Sequence, residues 1–188
     1  DHPYSVILSV VRSLPVVARG EIIELALVGR GKHDSLPKAF AAGFQLQYDI
    51  AMDRGGERDL HRHRNCIQIH QTLTTKRGWD TPALITEMNL ANDFNYDMLR
   101  AVRSVEELRD GIGIDADYLI PFASRSATLY KMHLAEAVYI TELRSGVQGH
   151  FSYREVACQM YEQLLERLPE LANYARVTPF RQQNILKR

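Results

Sequence analysis

The sequence predicts an α+β domain, and three observations lead to that class. One segment alternates apolar and polar residues with the period of two that a half-buried strand requires. Several longer segments repeat apolar residues at helical spacing. The predicted strands are scattered between runs of helix, which favours α+β over a regularly alternating α/β fold.

The clearest strand places Phe44, Leu46, Tyr48 and Ile50 on one face, with polar residues between them. A mostly buried helix is predicted from residue 16 to residue 28, because most of its residues are aliphatic. The remaining predicted elements are a helix that starts near Asp34, a strand around 66–69, helices over 81–109 and 134–144, a strand at 126–133, and a helix that a capping box at Ser152–Glu155 begins and Pro169 ends. Residues 181–188 are polar and are expected to be loose.

The bulk composition fits one globular domain that spans residues 1–188. Of the 188 residues, 45% are hydrophobic and 24% are charged, and these proportions argue against disorder. The 23 Lys and Arg residues balance the 23 Asp and Glu residues. A net charge of zero provides no overall attraction to nucleic acid or to an anionic membrane. Any anion site must therefore come from a local cluster of charge.

The cysteines and the start of the chain bear on its cellular setting. Cys66 and Cys158 belong to no paired motif, which favours a reducing, cytoplasmic compartment over a disulfide scaffold. No apolar run is long enough to cross a bilayer, so no membrane partner is expected. Asp1 begins the chain without a Met or a signal-peptide pattern, which raises the alternative that the chain is a fragment of a longer protein.

Positive charge is concentrated between residues 54 and 64. Arg58 and Arg62 share a face if this segment is helical, and like charges at that spacing repel unless an anion offsets them. Guanidinium groups bind phosphate bidentately and stay charged, so the cluster is a candidate clamp for a nucleotide phosphate. The alternative is a solvated helix face whose charge Glu57 and Asp59 partly neutralise. The basic residues of the cluster are Arg54, Arg58, His61, Arg62, His63 and Arg64.

The same region also contains side chains that bind metals in other proteins, namely His61, His63, Cys66 and His70. Their spacing matches no closed zinc pattern, and the flanking arginines would repel a cation. We therefore expect no metal here and ordinary hydrogen bonding for these histidines.

A second constellation runs from Glu142 to His150, just before the capping box. Gly146 and Gly149 permit close approach of the backbone to a ligand, and free amides at the following helix start favour anions. The alternative is a flexible connection between two helices. The sequence contains no nucleophile elbow, Walker loop, dinucleotide fingerprint or zinc-protease motif, and it identifies no catalytic residue.

Together the two constellations resemble the flavin-dependent thymidylate synthases, also called thymidylate synthase-complementing proteins. That family carries Arg-His-Arg, then Ser three residues on, a second Ser five later and Arg two after that. The triplet Arg62–Arg64 is intact, whereas Ile67, Thr72 and Thr74 stand at the three later positions. An ordered set of this kind is more specific than the triplet alone.

The resemblance extends over residues 34–168. Residues 35–50 look like the family's helix-to-strand entry, and residues 116–157 look like its C-terminal half. The pair Leu143-Arg144 matches the family's Leu-Arg, and residues 148–151 stand where the family has His-Ala-Gln-Trp.

Two departures affect positions that the family uses for its ligands. The flavin-contacting Asn-x-Arg falls on His133 to Ala135, and a nucleotide-binding Arg falls on Asp117, which would repel a phosphate. With Thr74, two arginines that hold the uridylate are absent. Each lost charge-assisted hydrogen bond costs roughly 1.5–3 kcal/mol. The resemblance therefore implies a poor thymidylate synthase, unless Arg77, Arg103 or Arg125 compensates.

The resemblance also implies a fold, a reaction and an assembly. It implies a mixed, largely antiparallel sheet flanked by helices, and a role in nucleotide biosynthesis as a methyltransferase. In the family, bound FAD carries hydride from NADPH, and methylenetetrahydrofolate donates the one-carbon unit to dUMP. The sites lie between subunits of a homotetramer. The alternative is an inactive homologue that serves as a binding or structural module without flavin.

The site residues that the resemblance implies fall into two groups. The cofactor-binding group is Arg62, His63, Arg64, His70, His133 and Arg144. The substrate-binding group is Gln71, Thr72, Thr74 and again Arg144. We expect Arg62, His63 and Arg64 beside a concave surface, with Arg144 contributing from the same or a neighbouring subunit.

Overall fold

A three-stranded antiparallel sheet organises the part of the chain that the computed structural model describes, residues 2–31 and 33–180. The strands are β1 (Gln45–Asp53), β2 (Ile67–His70) and β3 (Arg125–His133), in the order β1-β3-β2. Both pairings with the central β3 are antiparallel. The predicted α+β class and the largely antiparallel sheet are confirmed.

Helices make up most of the remaining described structure. The α-helices are α1 (Tyr4–Ser13), α2 (Val16–Leu27), α3 (Arg54–Leu60), α4 (Ala83–Glu87), α5 (Ala91–Ile112), α6 (Leu134–Arg144), α7 (Phe151–Arg167) and α8 (Pro169–Ala172). Three 3-10 helices lie at Lys38–Ala41, Thr75–Arg77 and Gly113–Leu119. None of the described helices is both long and apolar enough to cross a membrane.

The alternating pattern of β1 forms one side of the main core. Tyr48, Ile50 and Met52 are buried, while the residues between them face outwards. Tyr130 and Met132 of β3 face the same way, and α6 and α7 cover this side of the sheet. Close packing of these side chains provides most of the apolar burial. Burial also raises the pKa of the Tyr48 hydroxyl to about 12.

The expected burial of residues 16–28 is wrong. The helix forms as predicted, but Val17 and Leu25 remain 74% and 76% exposed, and Leu27 is its only buried residue. An aliphatic run predicts a buried helix only when other elements cover it. Within the described residues, α2 packs at its edge against α8 and presents its remaining apolar side chains outwards.

Two predicted helix starts also differ from the structure. The segment after Asp34 forms the short 3-10 helix Lys38–Ala41 instead of an α-helix. Helix α7 begins at Phe151 with His150 as its N-cap, so Ser152 lies in the first turn and hydrogen-bonds the His150 ring at 2.9 Å. The predicted end of α7 before Pro169 is confirmed. The expectation for residues 181–188 lies outside the described residues.

Candidate functional site

Helix α3 folds back over the sheet directly after β1. Asp53 caps the helix, since its carboxylate accepts a hydrogen bond from the Gly56 amide at 2.7 Å. Gly56 lets the helix approach its neighbours closely, because a Cβ there would lie 2.8 Å from Cε of Met52 and also against the Ser152 hydroxyl of α7. The sequence Asp53 to Gly56 therefore sets α3 tightly between the sheet and α7.

A polar cleft lies between α3 and the edge of the sheet where β2 ends. It has a volume of about 180 Å³. Arg54, Glu57, Arg58 and His61 line it from α3 and its C-terminal cap, and His70 and Gln71 line it from the end of β2. Leu73, Ser126 and Thr128 complete the lining. Five of these nine side chains carry or can carry charge, so the cleft suits a small ionic group.

Glu57 is the most buried charged group of the cleft, with 1% of its surface exposed. Its carboxylate pairs with Arg54 through Oε2, and its Oε1 lies 3.2 Å from Nδ1 of His70. The Tyr130 hydroxyl donates to Oε1 at 3.4 Å. Burial, together with this carboxylate, raises the pKa of Tyr130, so the hydroxyl remains a donor. A buried carboxylate of this kind requires several partners.

The two histidines of the cleft face each other. The rings of His61 and His70 have centroids 5.1 Å apart and meet edge to face. Nδ1 of His61 lies 2.8 Å from Oε1 of Gln68, and Nδ1 of His70 lies 3.0 Å from the Thr128 hydroxyl. Both rings are therefore held in fixed orientations.

The arginines of the predicted cluster differ in how far they are neutralised. Arg54 is committed to Glu57. Arg58 lies over the Phe122 ring, with 5.1 Å between its guanidinium carbon and the ring centroid. The Arg62 side chain is 72% exposed and lies 3.5 Å from Asp59. Arg64 is exposed and has no hydrogen bond or ion pair within the described part of the chain.

His63 and Arg144 form a buried connection beside the cleft. Nε of Arg144 donates to Nε2 of His63 at 2.8 Å, and Nη2 donates to the Asp59 carbonyl at 2.7 Å. On the other side of the ring, Nδ1 of His63 lies 3.5 Å from Oε1 of Glu136. The Arg144 side chain also lies over the Tyr153 ring at 5.4 Å.

This connection determines the tautomer of His63. A guanidinium can only donate, so Nε2 must accept and Nδ1 carries the ring proton towards Glu136. The hydrogen bond from His63, followed by that from Asn65, holds the pKa of Glu136 below its usual value against the opposing effect of burial. The triplet's central histidine therefore links two charged groups inside the protein.

Cys66 also belongs to this buried region. Its thiol donates to the His63 carbonyl at 2.8 Å, and burial raises its pKa. A protonated, partly buried thiol is a weak nucleophile. The role of Cys66 is therefore structural, through its packing and its hydrogen bond to the His63 carbonyl.

The remaining site residues from the sequence analysis form hydrogen bonds with other groups of this chain. His133 caps α6 by accepting from the Glu136 amide at 3.1 Å, and its other ring nitrogen lies 3.1 Å from the Asn65 amide. Thr74 caps the 3-10 helix Thr75–Arg77 through the Lys76 amide at 3.2 Å. Gln71 and the Thr72 carbonyl accept from Arg77 at 3.3 and 2.9 Å.

Three more residues named for their charge are placed as follows. Arg125 is paired with Asp80, and Asp117 is paired with Arg109. Arg103 is exposed on α5. Arg77, Arg125 and Asp117 are therefore engaged with neighbours within this chain.

Sequence reasoning missed two residues that are central to the site, Glu57 and Glu136. The sequence pattern predicts Glu57 as a surface countercharge to the arginines, although its spacing of four from His61 also indicates a shared helix face. Glu136 had no local signal, because its partner His63 is distant in sequence and the two meet only through the sheet.

Comparisons with known proteins place the chain in a family. Residues 26–170 match the family model for the thymidylate synthase complementing protein. A UPF0159 protein of Thermoplasma acidophilum is 35% identical over 127 residues, which cover 66% of this chain and 26% of that protein. A UPF0159 protein of Chlamydia muridarum is 26% identical over 181 residues, which cover 96% of this chain and 34% of that protein.

A UPF0159 protein of Chlamydia pneumoniae is 30% identical over 125 residues, which cover 66% of this chain and 24% of that protein. The chain thus spans about a quarter to a third of the length of these curated relatives. Because the family model matches residues 26–170, well over half of the sequence, the chain belongs to the thymidylate synthase complementing protein family.

Proposed function

We propose that this chain is a divergent unit of a thymidylate synthase-like protein and that it binds the phosphate of a nucleotide such as dUMP. The observation that carries the proposal is the group of incompletely neutralised arginines on α3 and the turn that follows it. Arg58 lines the cleft, and Arg62 and Arg64 are exposed within the next turn of chain. Guanidinium groups in this state favour phosphate oxygens.

The local charge supports an anion over a neutral ligand. Residues 54–64 contain four arginines and only two carboxylates, although the whole chain is neutral. Glu57 is already paired with Arg54, and Asp59 lies 3.5 Å from Arg62 and 3.8 Å from Arg144. Arg58 and Arg64 are thus the cations with the greatest capacity left for a phosphate.

FAD fits poorly to the residues that one chain provides. The cleft has a volume of about 180 Å³, whereas drug-sized ligands occupy pockets of roughly 300–1,000 Å³. Of the residues that the resemblance assigns to the cofactor, His63, His133 and Arg144 already bond to other groups of the chain. We therefore derive no step through a flavin within a single chain, and FAD, NADPH and methylenetetrahydrofolate binding would require additional surfaces.

The residues at the family's nucleotide and flavin positions support the proposal that any synthase activity of this chain is low. Thr74 caps a 3-10 helix and Asp117 is paired with Arg109, at positions where the resemblance expects arginines for the nucleotide. Ala135 adds no charge where the resemblance expects a flavin-contacting arginine. Without those cations the uracil ring is poorly held in a reactive orientation.

A module without flavin is the second candidate. The engagement of His63 and Arg144 with each other favours it, because that contact turns two motif residues into part of the scaffold. The two candidates differ in nucleotide binding, which the first requires and the second lacks.

We also propose that the chain functions within an assembly. Ile67 and Ile69 of β2 each remain 53% exposed on the sheet face opposite α6 and α7. A second copy of the chain would bury them, in agreement with the homotetramer that the resemblance implies. Covalent continuation of residues 1–188 into a longer chain is a parallel proposal, since these curated relatives are more than twice as long. A cytoplasmic location is a further proposal.

Calorimetric titration of the purified chain with dUMP tests the phosphate proposal. We expect the triple variant Arg58→Ala, Arg62→Ala, Arg64→Ala to weaken binding by about tenfold or more. Arg167→Ala, an exposed arginine at the end of α7, is the matched control and should leave binding unchanged. Deoxyuridine, which lacks the phosphate, should bind more weakly than dUMP. Equal binding of dUMP by the wild type and the triple variant would refute the assignment.

A further inference from the structure

The cleft contains a second arrangement, in which Glu57, His61 and His70 converge. One ligand atom from each residue lies within 4.8 Å of the corresponding atoms of the other two. Two imidazoles and one carboxylate form a donor set that binds borderline divalent ions such as Zn²⁺, Co²⁺, Ni²⁺ and Fe²⁺. We propose that these three residues bind a divalent transition-metal ion of the Zn²⁺ class.

The spacing of the donor atoms agrees with coordination of one ion. Oε1 of Glu57 and Nδ1 of His70 are 3.2 Å apart. Two neighbouring ligands at roughly 2.0–2.1 Å from a tetrahedral Zn²⁺ are about 3.3 Å from each other. Oε1 of Glu57 and Nδ1 of His70 therefore need almost no rearrangement to bind the same ion. The His61 ring packs edge to face against the His70 ring.

The tautomer of His61 is set by a neighbour that the metal does not touch. The Gln68 amide nitrogen donates to the His63 carbonyl at 2.7 Å and to the His61 carbonyl at 3.3 Å. Its oxygen consequently faces His61 and accepts from Nδ1 at 2.8 Å. Nδ1 then carries the proton, and Nε2 retains the lone pair that a metal requires.

Glu57 keeps the partner of its second oxygen when an ion binds, whereas Nδ1 of His70 must exchange its partners for the ion. In the metal-free protein, Nδ1 of His70 faces both Oε1 of Glu57 and the buried Thr128 hydroxyl. An ion bound to this nitrogen would take the place of both contacts, because the ring nitrogen has a single position for a hydrogen or a metal. Glu57 is fixed from its other oxygen by Arg54, which leaves Oε1 directed towards the two histidines.

Two arginines oppose the ion and set the expected strength of the site. Arg54 partly neutralises the negative charge of Glu57 through its ion pair with Oε2, which weakens the attraction of this carboxylate for a cation. Arg58 lines the same cleft, but its guanidinium lies over the Phe122 ring. The repulsion lowers the affinity below that of a closed structural zinc site, while the three-ligand set leaves coordination positions open towards the cleft.

The sequence alone predicts no metal, because its histidines and cysteine match no closed zinc pattern and the flanking arginines would repel a cation. In the structure, the third possible metal ligand beside His61 and His70 is Glu57. His63 and Cys66 are already engaged, because His63 accepts a hydrogen bond from Arg144 and Cys66 donates to a carbonyl. The metal site stands independently of the phosphate proposal, because its donors hold an ion without any nucleotide.

Calorimetric titration of tag-free protein with ZnCl₂, without nucleotide, tests the site. We expect one ion per chain, with binding weakened by tenfold or more in His61→Ala and in His70→Ala. His33→Ala, which removes an exposed histidine outside the cleft, is the matched control and should bind like the wild type. Circular dichroism checks that each variant folds.

Titration with CoCl₂ provides a second readout, because visible absorption bands report the coordination of Co²⁺. The wild-type spectrum should change in both His61→Ala and Glu57→Gln and remain unchanged in His33→Ala. Absence of stoichiometric Zn²⁺ binding by the wild type would overturn the proposal. Equal affinity of the wild type, His61→Ala and His70→Ala would overturn it as well, because the ion would then bind elsewhere.

Discussion

Nε of Arg144 donates to Nε2 of His63 across 2.8 Å, joining side chains that are 81 positions apart in the sequence. The same guanidinium donates to the Asp59 carbonyl at 2.7 Å. Arg144 thereby ties the end of α6 to the turn after α3. The contact unites the two motifs that were recognised separately in the sequence, and it does so through a structural bond within one chain.

Replacing Arg144 by Ala should destabilise the fold. The substitution removes two charge-assisted hydrogen bonds from a side chain that is only 15% exposed, and we expect a loss of about 2–4 kcal/mol in the free energy of unfolding. Urea denaturation measures this loss. Arg64→Ala, at an exposed arginine of the same motif, should change the value by less than about 0.5 kcal/mol. Similar small effects for both variants would show that the Arg144 contacts contribute little.

Stability should fall in acid through Glu136. Its carboxyl pKa is lowered from the ordinary value of 4.5, first by the hydrogen bond with His63 and then by that with Asn65, against the opposing effect of burial. A carboxyl whose pKa is lower in the folded state stabilises the protein above the unfolded value, and that contribution is lost as the pH falls through the folded value. We therefore expect the loss to begin near pH 4.5 and to continue below it.

Thermal unfolding followed across this acidic range measures the effect of Glu136. Glu136→Gln should be less stable than the wild type near neutral pH and should lose less stability on acidification. If the two proteins showed parallel pH dependence, other carboxyls would account for the acid sensitivity.

Gly56→Ala should destabilise the packing of α3. The added Cβ would lie 2.8 Å from Cε of Met52 and 3.0 Å from Oδ2 of Asp53, and it would also meet the Ser152 hydroxyl. We expect a cost of about 1–3 kcal/mol in the free energy of unfolding, because a packed position cannot absorb a methyl group. Gly111→Ala is the control: nothing lies within 4 Å of its added Cβ. That change should stabilise α5 by about 0.4–1 kcal/mol.

The isolated chain should show little thymidylate synthase turnover. Thr74, Asp117 and Ala135 stand where the resemblance expects cations for nucleotide or flavin. Tritium release from labelled dUMP, with FAD, NADPH and methylenetetrahydrofolate present, measures the reaction. We expect turnover at least about 100-fold below that of a family member with the complete motif, from the loss of two charge-assisted bonds. Comparable turnover would mean that other groups replace these arginines.

Ile69→Asp should weaken self-association. Ile69 is 53% exposed on the sheet face that α6 and α7 leave open, and a charge there would oppose burial against a second copy. Light scattering should give a molar mass several times that of one chain for the wild type and a lower mass for the variant. Leu165→Asp, on α7 at the other side of the sheet, serves as the control. A monomeric wild type at micromolar concentration would refute the proposed assembly.

Local patterns in the sequence determined most of the secondary structure. The alternation around Tyr48 predicted β1, and residues 126–133 and 134–144 became β3 and α6 with nearly the predicted bounds. These elements follow from side-chain period and local propensity, which the chain expresses over short distances. The motif around Arg62–Arg64 and the Leu-Arg pair likewise identified the family without any tertiary information.

Only the tertiary structure decided which side of a helix is covered and which charged groups meet. The aliphatic α2 remains largely exposed because burial depends on a covering partner. His63 became a bridge between Arg144 and Glu136, and Glu57 joined His61 and His70, because β3 and α6 bring distant segments together. Contacts over such separations leave no periodic signal in the sequence, and their geometry exists only once the sheet has formed.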